Sequence, residues 1–409
     1  MSAAARLKRG AVILLASNIG GAFLSFLLAA LIARSLGETS FGIYAAVSAW
    51  IYPLAILADM GISTLMTRDL GESPALANQM AFTALLWRVV IGGGILLGIL
   101  GFAPLLSDEP LVIMGLRLSA PMVVILPMFS TLSAIFKAVD AIGWVLALNI
   151  GMLAIQLALT AAAIAGGGTI MDVTVLNVLT SLGQLLAAVL IEKRYIGRAP
   201  LARWPSAHDM QAMLRSSFPF AASAALSALQ MRAAVIALES LSSLAAVGLF
   251  AAMTRFTDAA RLAPNALFGA MMPVLASISR ERDARERTFN RILAGLLAFG
   301  AACILGSLAL GEWAISFVYG GTFADGFPVL FVLVLALAIG TLRGAYTLYA
   351  FAVRRERMVN GVNLLSLTMQ IVLGLLLIPG LGALGAAWSV LAAESIALAS
   401  LAWSRRHSA

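Results

Sequence analysis

Three charged residues stand inside an apolar stretch: Arg255, Asp258 and Arg261 in the run TRFTDAARL, with GLFAAM before it and APNALFGAMMPVLA after it. At about 100° per residue they fall within roughly 120° of one helix face, so on a continuous helix all three meet one polar space. That space holds two guanidiniums and one carboxylate. Guanidinium forks match the oxygens of phosphates and carboxylates, so the chemistry on offer is the holding of an anion. Other charges interrupt apolar stretches in the same way: Arg88, Arg117, Arg232 and Arg343 on the basic side, Asp59 and Glu394 on the acidic side. An arginine at the centre of a membrane helix is unfavourable by roughly 2.5 to 3.5 kcal/mol. Six of them spread over a lipid-facing surface would exceed the net stability of a typical fold. Arg255, Arg261, Arg232, Arg88, Arg117 and Arg343 are therefore the candidates for contact with an anionic substrate, and Asp258, Asp59 and Glu394 those for coupling or gating. Each has a plainer alternative. Asp258 can pair with Arg255 or Arg261 at i to i+3, Arg117 and Arg343 can snorkel to headgroups, and Arg88 can pair with a neighbouring helix. Asp59 can cap a loop, and Glu394 can pair with Arg343 or a hydroxyl.

The elements that position these residues are membrane helices. The chain has 409 residues, 61% hydrophobic and 11% charged, and a mean hydropathy of +0.99, outside the range of soluble domains. Its single Cys303 forms no internal disulfide, and His208 and His407 lie in polar segments without a second ligand at metal spacing, so a disulfide scaffold, a zinc site and a Cys/His nucleophile pair are set aside. The net charge of +8 is gathered in short loops, which points to membrane orientation and not to nucleic acid. Twelve apolar runs are long enough to cross a bilayer: near 11–33, 41–66, 79–105, 111–136, 143–166, 171–191, 217–239, 245–278, 292–311, 326–351, 359–380 and 382–403. With the N-terminus in the cytoplasm, 20 of the 27 Lys and Arg residues fall in cytoplasmic segments, which predicts both termini inside. Counted from the outer end of its helix near 245, Arg255 then lies about 15 Å deep.

The expected architecture is all-α, a polytopic membrane protein of twelve helices forming two parallel six-helix bundles around a central cavity. The N-terminal bundle covers 1–191, a basic cytoplasmic linker covers 192–216, and the C-terminal bundle covers 217–409. An internal repeat supports the division: FGIYAAVSAW at 41–50 resembles VGLFAAMTRF at 247–256, 206 positions further on. Six helices per half makes the repeats parallel, a plan used by secondary transporters.

The repeat also carries a family resemblance. Leu36-Gly37, Phe41-Gly42-Ile43-Tyr44-Ala45 and Asp59-Met60-Gly61-Ile62 resemble the LG-x(3)-FG-x-YA opening and D-[LM]-G-[LI] close of the second helix in polysaccharide flippases of the O-antigen type. Those flippases belong to the multidrug/oligosaccharidyl-lipid/polysaccharide superfamily. PGLGALGAAWSVLAAE at 379–394 is similar to the opening of that family's last helix. The resemblance implies a flippase of the bacterial inner membrane that moves a polyprenyl-diphosphate-linked oligosaccharide from the inner to the outer leaflet by alternating access. Its arginines would hold the diphosphate and sugar while the lipid tail stays in the membrane. It implies no cofactor, leaves room for proton or sodium coupling, and admits membrane lipid and other polysaccharide-assembly proteins as partners. Two other functions compete. A drug/cation antiporter of the same superfamily would carry unpaired carboxylates in its cavity. A membrane polysaccharide polymerase or lipid-sugar glycosyltransferase would need larger external loops than that at 312–325.

Overall fold

The structure, a computed structural model, describes residues 3–72, 77–196, 204–277, 282–353 and 355–406. The expected basic residues Arg198 and Arg203 of the linker, and His407, lie outside the described residues. The described chain is helical, in the order α1 (Ala3–Asp59), α2 (Ile62–Glu72), α3 (Ala77–Trp87), α4 (Gly93–Phe102), α5 (Pro110–Ser119), α6 (Met122–Ala138), α7 (Ile142–Ala165), α8 (Ile170–Ile191), α9 (Ala207–Leu241), α10 (Leu244–Ala260), α11 (Leu262–Ser277), α12 (Arg282–Tyr319), α13 (Phe327–Ala352) and α14 (Glu356–Arg406).

Among the described residues nine helical stretches are long and apolar enough to cross a membrane. Two of them, Ser17–Asp59 and Arg357–Arg405, run for 43 and 49 residues, about twice what one crossing needs. Each is broken by a glycine with positive φ, Gly37 at 81° and Gly382 at 52°, a backbone region that side chains bearing a Cβ rarely enter. Large apolar side chains are exposed around the helices, among them Leu97, Leu105, Leu190, Phe317 and Leu376, as a surface in contact with hydrocarbon requires.

The linker region is more helical than its composition predicts. Its first residues, Glu192–Ile196, continue α8 as a wide π-turn. Residues 206–215, whose pattern predicts an amphipathic surface stretch, enter the 35-residue α9, which begins at Ala207. Ser206 and Asp209 cap that helix reciprocally: the Ser206 amide donates to Asp209 Oδ2 at 2.9 Å and the Asp209 amide donates to Ser206 Oγ at 3.1 Å, the capping-box arrangement.

The chain folds as two compact units, Met1–Leu28 with Ala46–Arg232, and Ala29–Ala45 with Ala233–Ala409. The core of the first gathers Leu65, Met66 and Leu70 of α2, Ile135 and Phe136 of α6 and Leu148 of α7. The second has one core around Leu275, Phe289 and Leu348 and another around Val359, Ala397 and Leu401.

The repeat has a structural counterpart within the second unit. A Cβ at Gly42 would stand 1.8 Å from the Leu244 carbonyl oxygen, and a Cβ at Gly248 would stand 2.0 Å from that of Glu38. Gly42 and Gly248, like Glu38 and Leu244, are 206 positions apart, so the two copies of the motif cross each other symmetrically. Only hydrogen at the crossing positions allows two helix backbones this close.

Candidate functional site

The clearest charged cavity is in the second unit and measures about 320 Å³. Arg261, Asn265, Thr341, Arg343 and Glu394 supply its polar wall, and Phe268, Leu337 and Phe351 its apolar one. Arg343 comes from the middle of α13 and Glu394 from the last part of α14. Arg343 Nε lies 2.9 Å from Glu394 Oε2, an ion pair in which the N–H is not aimed at the oxygen. Nε and Nη1 of Arg343 and Oε2 of Glu394 are buried without a hydrogen bond. With Arg261 also on the wall, the lining holds two guanidiniums and one carboxylate, a net positive charge. A buried polar group left without a partner is unfavourable, and the Arg343–Glu394 pair holds three such atoms.

Arg255 and Asp258 are not among the residues lining that cavity, contrary to the picture of one continuous wedge. α10 ends at Ala260 and α11 starts at Leu262. The backbone runs on helically across this junction, with Arg261 at φ −61° and ψ −19° and its amide donating to the Thr257 carbonyl at 2.9 Å. Arg255 is half-buried and Asp258 exposed. Among the described residues no ion pair joins Asp258 to Arg255 or Arg261. Tyr319, at the end of α12, donates from its hydroxyl to the Ala252 carbonyl at 3.1 Å, and Arg255 lies about 5 Å further along the helix from that bond.

In the first unit the motif residues Asp59 and Gly61 are explained by packing. Arg88, fully buried, donates from Nη1 to Asp59 Oδ1 at 2.9 Å, from Nη2 to Ser63 Oγ at 2.8 Å and from Nε to Thr131 Oγ1 at 2.5 Å. Ser63 Oγ donates in turn to Asp59 Oδ1, and the Ser63 amide donates to Asp59 Oδ2 at 3.3 Å, which caps the first turn of α2. The helix widens to a π-turn over Arg88–Gly92. This guanidinium is fully buried and tied to three side chains of the interior. Gly61, at φ 68°, meets the backbone of α9: a Cβ there would be 2.5 Å from the Ala221 nitrogen and 2.8 Å from the Ser217 carbonyl oxygen. Arg117, in the last turn of α5, is exposed. Arg232 is half-buried and lies 5.6 Å from the ring centre of Tyr52.

Sequence reasoning missed a group of uncharged polar residues in the first unit. Asn149 and Gln156 on α7, and Asn177 and Gln184 on α8, form two interlocking amide pairs. The available signal was spacing: both helices carry amides at i and i+7, and the two are joined by a short glycine turn, so the ladders run antiparallel and meet. Among the described residues no group of three or more His, Cys, Asp or Glu is arranged to hold a metal ion.

The profile of the polysaccharide biosynthesis protein family matches residues 7–279. No curated protein matches the sequence. Among solved structures, the lipid II flippase MurJ in an inward closed conformation is similar at 15% identity and a TM-score of 0.79, over 95% of this chain and 86% of that one. A multidrug resistance MATE family transporter of the MOP superfamily, inward-facing, is similar at 15% identity and a TM-score of 0.80, over 97% and 98%. A MOP superfamily transporter from Pyrococcus furiosus, described as having a binding pocket of reverse polarity, is similar at 14% identity and a TM-score of 0.66, over 98% and 95%. At such identities these likenesses show the fold: the all-helical transporter fold of the multidrug/oligosaccharidyl-lipid/polysaccharide superfamily.

Proposed function

The chain belongs to the polysaccharide biosynthesis protein family, and on that footing we propose that it is a flippase for a polyprenyl-diphosphate-linked oligosaccharide. It would carry this lipid from the inner to the outer leaflet of a bacterial cytoplasmic membrane by alternating access, through twelve spans with both termini in the cytoplasm. The observation that supports the reading is the cavity whose lining holds Arg261, Arg343 and a single carboxylate, Glu394, paired with Arg343. Its positive balance suits the diphosphate, and bidentate guanidinium contacts to phosphate oxygens are among the strongest charge-assisted hydrogen bonds. Arg261 and Arg343 are the residues assigned to the diphosphate. Glu394 is the candidate for coupling, since a proton or sodium ion on its carboxylate would loosen Arg343 for the substrate. The lipid tail remains in the bilayer, so the chain handles the headgroup alone and acts as a carrier, not a catalyst.

A drug/cation antiporter shares the fold, but a cationic drug requires uncompensated negative charge. The carboxylate lining this cavity is already matched by Arg343 and outnumbered by the two arginines. Depletion of the protein in its host is the direct test. The expected result is accumulation of the lipid-linked oligosaccharide on the inner leaflet together with loss of surface polysaccharide. Unchanged lipid intermediates, with increased retention of a fluorescent organic cation, would move the assignment to the antiporter.

A further inference from the structure

The charges of the second unit leave a second cavity unexplained, one of about 370 Å³ that lies wholly within the first unit. Its wall carries no formal charge and mixes polar side chains with apolar ones, Met122, Leu126, Met152 and Leu153 among them. Gln184 Nε2 donates to Asn149 Oδ1 at 2.9 Å and Gln156 Nε2 donates to Asn177 Oδ1 at 3.0 Å. Asn18 adds a fifth amide, Ser17, Thr180 and Ser181 add hydroxyls, and Tyr52 adds an aromatic ring and a phenol. Polar groups within membrane helices are unfavourable and concentrate where they serve a pathway or a ligand. One amide pair would suffice to fasten α7 to α8, yet five amides collect here.

The chemistry of the wall narrows the occupant. A primary amide offers two donors and two acceptor lone pairs, and each pair above uses only part of that capacity. The Thr180 and Ser181 hydroxyls give their protons to backbone carbonyls of α8, so towards the cavity they are acceptors. Such a mixture of free donors and acceptors matches a ligand whose groups both give and take hydrogen bonds, as sugar hydroxyls do. A bare cation fits less well, because no carboxylate lines the space to balance its charge. The volume falls at the lower end of the ~300–1,000 Å³ usual for small-molecule sites. Tyr52 presents a ring on which the C–H face of a pyranose can lie, and the Arg232 guanidinium 5.6 Å from the ring centre holds that ring by a cation–π contact.

We propose that this amide-lined cavity binds an uncharged sugar residue of the transported lipid. The inference rests on the flippase reading for the identity of the ligand, but the site can be tested apart from transport. Full-length protein in nanodiscs would be probed by saturation-transfer NMR with the methyl glycosides of glucose, galactose and N-acetylglucosamine. At least one glycoside is expected to draw saturation from the unaltered protein. That signal should fall at least about fivefold in Asn149→Leu and in Gln184→Met, as loss of one or two hydrogen bonds to an uncharged ligand implies, and persist in Arg261→Gln. Gln184→Met keeps the side-chain length and decides the matter if Asn149→Leu lowers the melting temperature. No saturation of any glycoside, or equal saturation in both cavity variants, overturns the proposal. So does sodium-dependent thermal stabilisation that Asn149→Leu abolishes in the absence of glycoside binding, which would make this a cation site. Translocation of the lipid-linked oligosaccharide without glycoside binding would sink the sugar site and leave the flippase reading standing. Glycoside binding without translocation would do the reverse.

Discussion

Replacing Gly42 or Gly248 by alanine attacks the symmetric crossing of the two repeat copies. The added Cβ would lie 1.8 Å from the Leu244 carbonyl oxygen in the first case and 2.0 Å from the Glu38 carbonyl oxygen in the second. An ordinary carbon–oxygen contact is about 3.3 to 3.6 Å, so the helices must part by about 1.5 Å. The obstacle is backbone on both sides, and no side chain can rotate away. Overpacking costs about 1 to 3 kcal/mol, and we place each single change near the upper end. Because the same separation accommodates both methyl groups, the double variant should lose about as much as either single one, a coupling of about 3 kcal/mol. Equilibrium unfolding of the purified protein in mixed micelles, run as a double-mutant cycle, reads this directly. Additivity within about 0.5 kcal/mol, or a Gly42→Ala change of less than that, would refute the close crossing and with it the structural meaning of the repeat.

The same unfolding assay tests the buried pair of the first unit. Asp59→Asn strands the fully buried Arg88 guanidinium and should cost about 3 kcal/mol or more, while adding Arg88→Met should recover most of the loss; a double variant no more stable than the single one would contradict this account. Orientation is read by cysteine labelling in a Cys303→Ser background. Cysteines at Ser206 and Ser404 should be protected from an impermeant thiol reagent in intact cells and one at Thr322 should react; labelling at Ser206 in sealed cells would invert the topology.

The membrane class and the helical fold are legible in the sequence because they follow from the amount and length of apolar sequence, which no tertiary detail can undo. The repeat is legible for a related reason: Gly42 and Gly248 recur in register because both backbones meet at one crossing. The pairing of Arg343 with Glu394 was among the alternatives, since two isolated charges in neighbouring spans have strong reason to meet. The wedge of Arg255, Asp258 and Arg261 reads differently in the structure, where Arg261 lines the charged cavity and Arg255 and Asp258 do not, because helical projection gives the side a residue faces and not which neighbouring helices close a cavity over it. A pairing of Arg88 with a neighbouring helix was among the alternatives. What makes it structural is a set of partners, Asp59, Ser63 and Thr131, drawn from three separate segments, and no local pattern announces such a set. The amide ladders were visible only as a spacing shared by α7 and α8, and uncharged residues draw less notice than charges in a chain this apolar.

The central claim is that Arg261 and Arg343 hold the diphosphate of a lipid-linked sugar. Proteoliposomes containing the purified protein and a polyprenyl-diphosphate-linked oligosaccharide measure it directly, through the fraction of oligosaccharide that becomes accessible to an external glycosidase with time. The unaltered protein should move the lipid well above the protein-free rate, and Arg261→Gln with Arg343→Gln should slow it by about tenfold or more, as loss of charge-assisted hydrogen bonds predicts. Undiminished translocation by the double variant, or transport of an organic cation with no movement of the lipid-linked oligosaccharide, would contradict the account.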